Sequence, residues 1–156
     1  MTEQKSFGFE TRAIHAGAAP DPATGARQTP IYQTTSFVFE DVEDAASLFN
    51  LQKVGFIYSR LTNPTVAVLE ERLANLEGGA GATATSSGHA AQLLALFPLM
   101  APGDHIVASK KLYGGSLNQL GISFPRAFGW QPSFVDTDDV ENVKAAITEK
   151  TKAIFV

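Results

Sequence analysis

Thr83-Ala84-Thr85-Ser86-Ser87-Gly88-His89-Ala90-Ala91 runs from a stretch of small residues, through two serines and a glycine, directly into an apolar helical pattern. A strand that feeds a helix across so short a turn is the repeating step of an α/β domain, and the flanking sequence repeats it. Upstream, Asn63 followed by Pro64 starts a helix. The amide side chain accepts an orphan N–H, and proline stands in the first turn, where its missing N–H costs nothing. Val66, Leu69, Leu73 and Leu76 fall on one face, Glu70, Glu71 and Asn75 on others, and Gly78-Gly79 ends the helix. Residues 82–85 predict a strand, 88–100 a nearly all-apolar helix, Pro102-Gly103-Asp104 a turn and 105–108 a strand. Gly115-Ser116 opens a further helix toward Gly121. Residues 133–135 read as a strand, Asp138 or Asp139 caps a helix through Ile147, and 152–156 form another apolar strand. The fold class is therefore α/β, an N-terminal arm followed by the first part of a mostly parallel sheet with helices on both faces.

The arm is residues 1–62, and the incomplete α/β domain is residues 63–156. Gly17, Gly25, Pro20, Pro22 and Pro30 interrupt the arm, and no period is sustained through it. One short helix is expected inside it, at residues 41–49, where Asp41 can cap and Val42, Ala45, Ala46 and Phe49 recur at three- and four-residue steps. Residues 55–60 read as extended. Phe37, Phe39, Phe49, Phe56 and Ile57 have no core of their own here, so they must be buried on their own domain or on a neighbouring subunit, and oligomerisation is the simplest expectation. At the other end, Ala153-Ile154-Phe155-Val156 is a buried-type strand with no turn, cap or polar tail behind it, so the chain is expected to be a truncated N-terminal fragment.

Composition narrows the function. With 156 residues, 44% hydrophobic and 18% charged, the chain can bury about 68–70% of its unfolded surface and form one real core. It has no cysteine, which removes disulfides, thiolate metal sites and a cysteine nucleophile. Met1-Thr2-Glu3-Gln4-Lys5 is not a basic stretch leading into an apolar run, and no uninterrupted apolar run of about 18 residues occurs, so neither export by a signal peptide nor a membrane span is expected. A cytoplasmic location fits best. Twelve basic against sixteen acidic residues supply no positive field for phosphate neutralisation along a nucleic acid.

Three segments carry candidate chemistry. At Ser86-Ser87-Gly88-His89 the first helical amides point outward with the positive end of the macrodipole, and Gly88 lets an anion come close; the same serines serve equally well as a plain helix cap. Neither the dinucleotide nor the triphosphate glycine fingerprint is present. In Ile57-Tyr58-Ser59-Arg60, alternation along an extended chain puts Tyr58 and Arg60 on one face, where a phenol and a planar guanidinium suit a phosphate; a surface arginine whose stem covers an aromatic is the other reading. Lys110-Lys111-Leu112-Tyr113-Gly114-Gly115-Ser116 follows a strand and so lies at the carboxyl end of the sheet, where Tyr113 can stack on a flat ring or simply plug the loop. Lys110 and Lys111 read as a solvated turn rather than as desolvated nucleophilic amines. His15, His89 and His105 lie far apart in sequence without metal-ligand spacing, so no metal site is expected, and His15 is assigned a local polar contact. No G-x-S-x-G elbow supports a serine nucleophile.

Together, residues 9–17 (Phe-Glu-Thr-Arg-Ala-Ile-His-Ala-Gly), Tyr58-Ser59-Arg60, Asn63-Pro64-Thr65, Leu69-Glu70, Leu76-Glu77-Gly78-Gly79, Ser86-Ser87-Gly88 and Leu112-Tyr113-Gly114-Gly115 resemble the pyridoxal-phosphate-dependent enzymes of cysteine and methionine metabolism. Residues 45–51 are most like the O-acetylhomoserine sulfhydrylases, with cystathionine γ-synthase and methionine γ-lyase as close relatives. The resemblance implies an aspartate-aminotransferase-like fold of type I, with a large cofactor domain and a homotetramer of two close dimers. It implies that the amides of Gly88 and His89 hold the phosphate of pyridoxal 5'-phosphate. It implies that Tyr113 stacks on the pyridine ring and assists proton movement, and that Tyr58 and Arg60 reach the phosphate in a neighbouring subunit's site. His89 stands where relatives often carry Met or Gln. The Schiff-base lysine, the aspartate under the pyridine nitrogen and the arginine for the substrate carboxylate would all come from beyond Val156, so this chain alone is expected to be inactive. The implied reaction of the complete protein is γ-replacement on O-acetylhomoserine by sulfide or a thiol, which yields homocysteine or methionine plus acetate. A non-catalytic assembly or phosphate-binding fragment is the rival of another class, and a nucleotide-binding oxidoreductase domain is a third reading.

Overall fold

In the computed structural model, which describes residues 7–156, the first element is a helix that the sequence pattern does not announce: α1, Phe9–His15. The reading of residues 1–5 as free of an export signal lies outside the described residues. Helix α1 has no side-chain cap, but Glu10 in its first turn and Arg12 and His15 in its last complement the helix dipole. It is followed by α2, Val42–Phe49, where Asp41 caps the Asp44 amide as expected, and by α3, Pro64–Glu77. Asn63 caps α3 by accepting from the Thr65 amide at 2.9 Å, while its side-chain N–H group donates to Tyr32 O and Ser59 Oγ. Gly78 ends α3 at φ 69°, a left-handed conformation that costs glycine nothing.

Helix α1 is tied to α3 by two arginines. Arg12 Nη1 donates to Asn75 O at 2.7 Å, and Arg72 Nε donates to Ala16 O at 3.0 Å. Gly17, at φ 72°, follows α1 so closely against α3 that a Cβ there would stand 2.8 Å from Val68 O. The face of α3 expected to be apolar is only partly covered: Val66, Leu69 and Leu73 remain exposed and no residue of α3 is fully buried. Seven residues of α1 cannot cover fourteen of α3. Residues 55–60, expected to be extended, make one antiparallel bridge, Ser36 to Tyr58, and then turn, with Leu61 N–H donating to Tyr58 O at 2.8 Å. These elements belong to a compact unit that ends at Ala84; a second begins at Thr85.

The segment that leads into the second unit departs from expectation. Residues 82–85 form no strand. The Ala84 amide donates to Glu70 Oε1 at 2.7 Å instead of to a ladder, and a lone run of small residues has no means to hold extended pairing without a neighbour. Helix α4, Gly88–Leu96, is shorter than predicted because Pro98 has no N–H to give to the turn before it, and the chain tightens there with Leu99 N–H donating to Leu96 O. Strand β1 is His105–Ser109. The helix expected to close near Gly121 continues: α5, Gly114–Asn118, passes through a π-helical turn, Gln119–Ser123, into α6, Phe124–Phe128. Pro125 cannot donate back to Gly121, and the wider turn accommodates it, with Phe124 N–H donating to Gln119 O. Strand β2, Gln131–Val135, helix α7, Val140–Ala146, capped by Asp139, and strand β3, Thr151–Phe155, complete the order.

The sheet runs β2-β1-β3, all parallel. The crossover from β1 to β2 and the one from β2 to β3 move in opposite directions, so right-handed connections place their helices on opposite faces. The burial of every residue of β1 agrees with cover on both sides. Ile106 and Ala108 join Leu96, Met100, Leu120, Phe124 and Trp130 in the core, where Trp130 meets Phe124 at 4.9 Å edge to face and Phe128 at 5.0 Å. Buried His105 spans all three strands: its ring nitrogens lie 2.7 Å from Thr151 Oγ1 on β3 and 2.9 Å from Ser133 Oγ on β2. At the other end of β1, Lys110 Nζ lies 2.9 Å and Lys111 Nζ 3.1 Å from the Asp136 carboxylate, and Lys111 also bonds Asp138. The Lys110 ammonium first, then that of Lys111, holds Asp136 down to about 2, and Asp138 and Asp136 raise Lys111.

Two outcomes follow. His105→Ala leaves a void and takes from Ser133 Oγ its imidazole partner, while Thr151 Oγ1 keeps the Thr148 amide at 2.8 Å; it lowers stability by about 2–4 kcal/mol in urea denaturation, whereas Lys152→Ala, exposed on neighbouring β3, changes it by no more than about 0.5 kcal/mol. The Asp136 network holds above the ordinary carboxylate value of 3.8 and is lost as pH falls through about 2, since a carboxylate with a depressed folded pKa contributes only while ionised. A carboxyl ¹³C titration of Asp136 with its midpoint near 3.8 would refute this.

Candidate functional site

The strongest of the three segments lies at the start of α4. Ser87 is the cap: its Oγ accepts from the Ala90 amide at 3.2 Å and its carbonyl from Ala91 at 3.0 Å, while Thr85 Oγ1 donates to the same carbonyl at 2.8 Å. The cap reading is what the structure shows, and it leaves the first-turn amides available to the other. Ser87 is spent on the helix, while the amides of Gly88 and His89, the first two of α4, have no intrahelical acceptor and face outward with the dipole. Nothing stands within 4 Å of a Cβ built on Gly88, so the space beside its Cα is open.

Tyr113 is brought to this helix end. It is the residue before α5, and its carbonyl accepts from Ser116 and Leu117 at 2.8 and 3.0 Å, which fixes its backbone. Its ring is 76% exposed and lies 6.0 Å, centroid to centroid, from the His89 imidazole at an interplanar angle of 30°. An open aromatic face beside outward amides is the donor set that a flat ring carrying a phosphate requires. Lys110 and Lys111, set aside as nucleophiles, are engaged with Asp136 and Asp138, and the raised Lys111 stays an ammonium.

Tyr58 and Arg60 lie in the first unit and do meet, although not by strand alternation. The turn after Tyr58 swings Arg60 back, and its guanidinium carbon sits 5.0 Å from the phenol centroid. Both line a groove of about 380 Å³ with Ser36, Phe37, Phe39, Phe49, Ile57 and Leu61. The arm's rings are partly paired here, Phe37 with Phe56 at 5.5 Å and Phe39 with Phe49 at 6.0 Å, yet Phe49 and Phe56 stay exposed. His15 makes the local polar contact expected of it, with Arg27 Nη2 2.7 Å from Nδ1. Among the described residues no group of three His, Asp or Glu side chains gathers to hold a metal ion.

Sequence reasoning missed the tethers that hold the site. Gln92 Nε2 donates to the buried Ser116 Oγ at 2.7 Å, joining α4 to α5, and Gln119 Nε2 donates to His89 O at 3.1 Å. Among the described residues the Oε1 atoms of both glutamines are buried without a partner. No sequence spacing links positions so far apart; only the packing of α4 on the α5 turn reveals them.

Known proteins resemble this chain along nearly its whole length. The sulfhydrylase FUB7 of Gibberella moniliformis is 52% identical over 156 residues, all of this chain and 36% of its own length. The O-acetyl-L-homoserine sulfhydrylase of Leptospira meyeri is 50% identical over 151 residues, 97% of this chain and 34% of its own. A Campylobacter jejuni structure assigned as an O-acetylhomoserine (thiol)-lyase, which carries a pyridoxyl-lysine monophosphate, superimposes with a TM-score of 0.91 at 42% identity over 97% of this chain and 37% of that one. The chain therefore spans about a third of the length of these proteins. No helix among the described residues is long and apolar enough to cross a membrane. The sequence profile of the Cys/Met metabolism PLP-dependent enzymes matches residues 10–156, and the chain belongs to that family.

Proposed function

We propose that the protein containing this chain is an O-acetylhomoserine sulfhydrylase, which exchanges the acetate of O-acetyl-L-homoserine for sulfide to give homocysteine, or for a thiol to give its thioether. The observation that carries this reading is the 50–52% identity to proteins named as sulfhydrylases, along the whole or nearly the whole chain. Bound pyridoxal phosphate supplies an electron sink for negative charge that develops on the amino-acid substrate. In this reading residues 63–156 are the first part of the cofactor domain. Gly88 and His89 hold the phosphate through their amides, and Tyr113 offers its exposed face to the pyridine ring. Its hydroxyl is the group we assign to moving a proton of the bound substrate. Residues 1–62 act as an arm toward a neighbouring subunit, where Tyr58 and Arg60 complete that subunit's phosphate site. The exposed Phe49 and Phe56, and the groove that Phe49 lines, support such a contact. The lysine that binds the cofactor covalently and the arginine for the substrate carboxylate come from outside these 156 residues, and a cytoplasmic homotetramer is the assembly we assign.

Full-length protein with pyridoxal phosphate is expected to release acetate from O-acetyl-L-homoserine in proportion to added sulfide. Release with cysteine but not with sulfide would instead favour cystathionine γ-synthase. Tyr113→Phe keeps the ring and removes the hydroxyl, and turnover falls about a hundredfold; unchanged turnover rejects the proton role. Arg60→Ala and Tyr113→Ala subunits, each nearly inactive, regain about a quarter of the activity when co-assembled, because half of the mixed pairs' sites draw both groups from intact copies. A mixture no better than the mean of its parents rejects the shared site.

A further inference from the structure

The mutual placement of His89, Tyr113 and Gly115 is tighter than binding a phosphate through main-chain amides requires. The imidazole lies against the phenol at 6.0 Å and 30°. A Cβ added to Gly115 would come to 2.6 Å from Tyr113 Cε1, 2.7 Å from His89 Cε1 and 2.8 Å from His89 Nε2. The backbone of Gly115 is thus in contact with the edges of both rings, and any side chain there would have to displace one of them. The main chains beneath the rings are held as well. Gln119 binds His89 O, Gln92 joins α4 to buried Ser116, and the Tyr113 carbonyl is taken by the first turn of α5. What remains free is the side-chain torsion of Tyr113, and with 76% of that residue exposed, little besides the imidazole restrains it.

We propose that the His89 side chain is a positioning residue that sets the attitude of the Tyr113 ring, presenting the phenol already oriented to a flat ligand ring. This rests on the reading of Tyr113 as the cofactor's stacking partner. The role is distinct from that of the His89 amide, since it depends on a planar side chain and not on the main chain. Pre-orientation removes the loss of torsional freedom that an exposed tyrosine would otherwise suffer on stacking. The contact belongs to the range of aromatic pairs, so its removal is worth about a two- to tenfold change in affinity. Gly115 is the second half of the device, because it leaves room for the two rings to approach.

The experiment uses the full-length protein and pyridoxal 5'-phosphate itself, with the cofactor dissociation constant and the visible circular dichroism of the bound cofactor as readouts. His89→Leu keeps the amide and much of the volume but removes the flat face. His89→Phe restores a flat face, and Gly115→Ala forces the rings apart with His89 in place. His89 is exposed, so its variants keep the fold. His89→Leu and Gly115→Ala are expected to raise the dissociation constant about two- to tenfold and to diminish the dichroic band, while His89→Phe stays near wild type. Wild-type values in His89→Leu overturn the proposal alone, as does equal impairment in His89→Phe and His89→Leu. A wild-type protein that binds no pyridoxal phosphate overturns the functional reading and this proposal with it.

Discussion

Parallel pairing of β1 on both of its edges is the constraint on which the second unit depends. A parallel neighbour cannot be reached by a tight turn, so each pairing obliges the chain to leave the sheet, cross a face and return. Those crossings are α5 to α6 and α7, and the burial of all of β1 follows from lying between two neighbours under helices. His105 matches this arrangement. A histidine in a buried central strand needs partners for both ring nitrogens, and the two flanking strands each supply a hydroxyl. The same topology puts the loop after β1 at the carboxyl end of the sheet, and Tyr113 stands there.

The site is built from features with two uses. Ser87 satisfies the third amide of α4, while the first two have no intrahelical acceptor. Lys110 and Lys111 neutralise Asp136 and Asp138, a surface network screened by solvent, and they fix the turn before Tyr113 more than they stabilise the fold. In the first unit, α1 lies on α3 through two arginine-to-carbonyl bonds, yet Val66, Leu69 and Leu73 remain open.

Where the sequence was legible, the signal was local. Asn63-Pro64 and Gly78 bounded α3, Asp41 capped α2, Asp139 capped α7, and the apolar runs at β1, β2 and β3 held as strands. The failures were also instructive. Helix α1 lacks a side-chain cap and owes its order to Arg12 and Arg72, which reach across more than fifty positions. Residues 82–85 had a strand's composition without a partner strand, and Pro98 ended α4 early although the residues around it are apolar. Pro125 had the opposite outcome, since the chain absorbed it in a π-turn and went on.

The amino-acid sequence alone determined the α/β class, the family resemblance and the identity of Gly88, His89, Tyr113, Tyr58 and Arg60 as the groups of interest, because caps, turn glycines and hydrophobic periods act between residues a few positions apart. Only the tertiary structure decided that the imidazole of His89 lies on Tyr113, that a side chain at Gly115 would displace one of those rings and that Gln92 and Gln119 hold the two loops together. Those contacts join segments more than twenty positions apart, and their geometry is set by how helices pack on a twisted sheet, which no local pattern encodes.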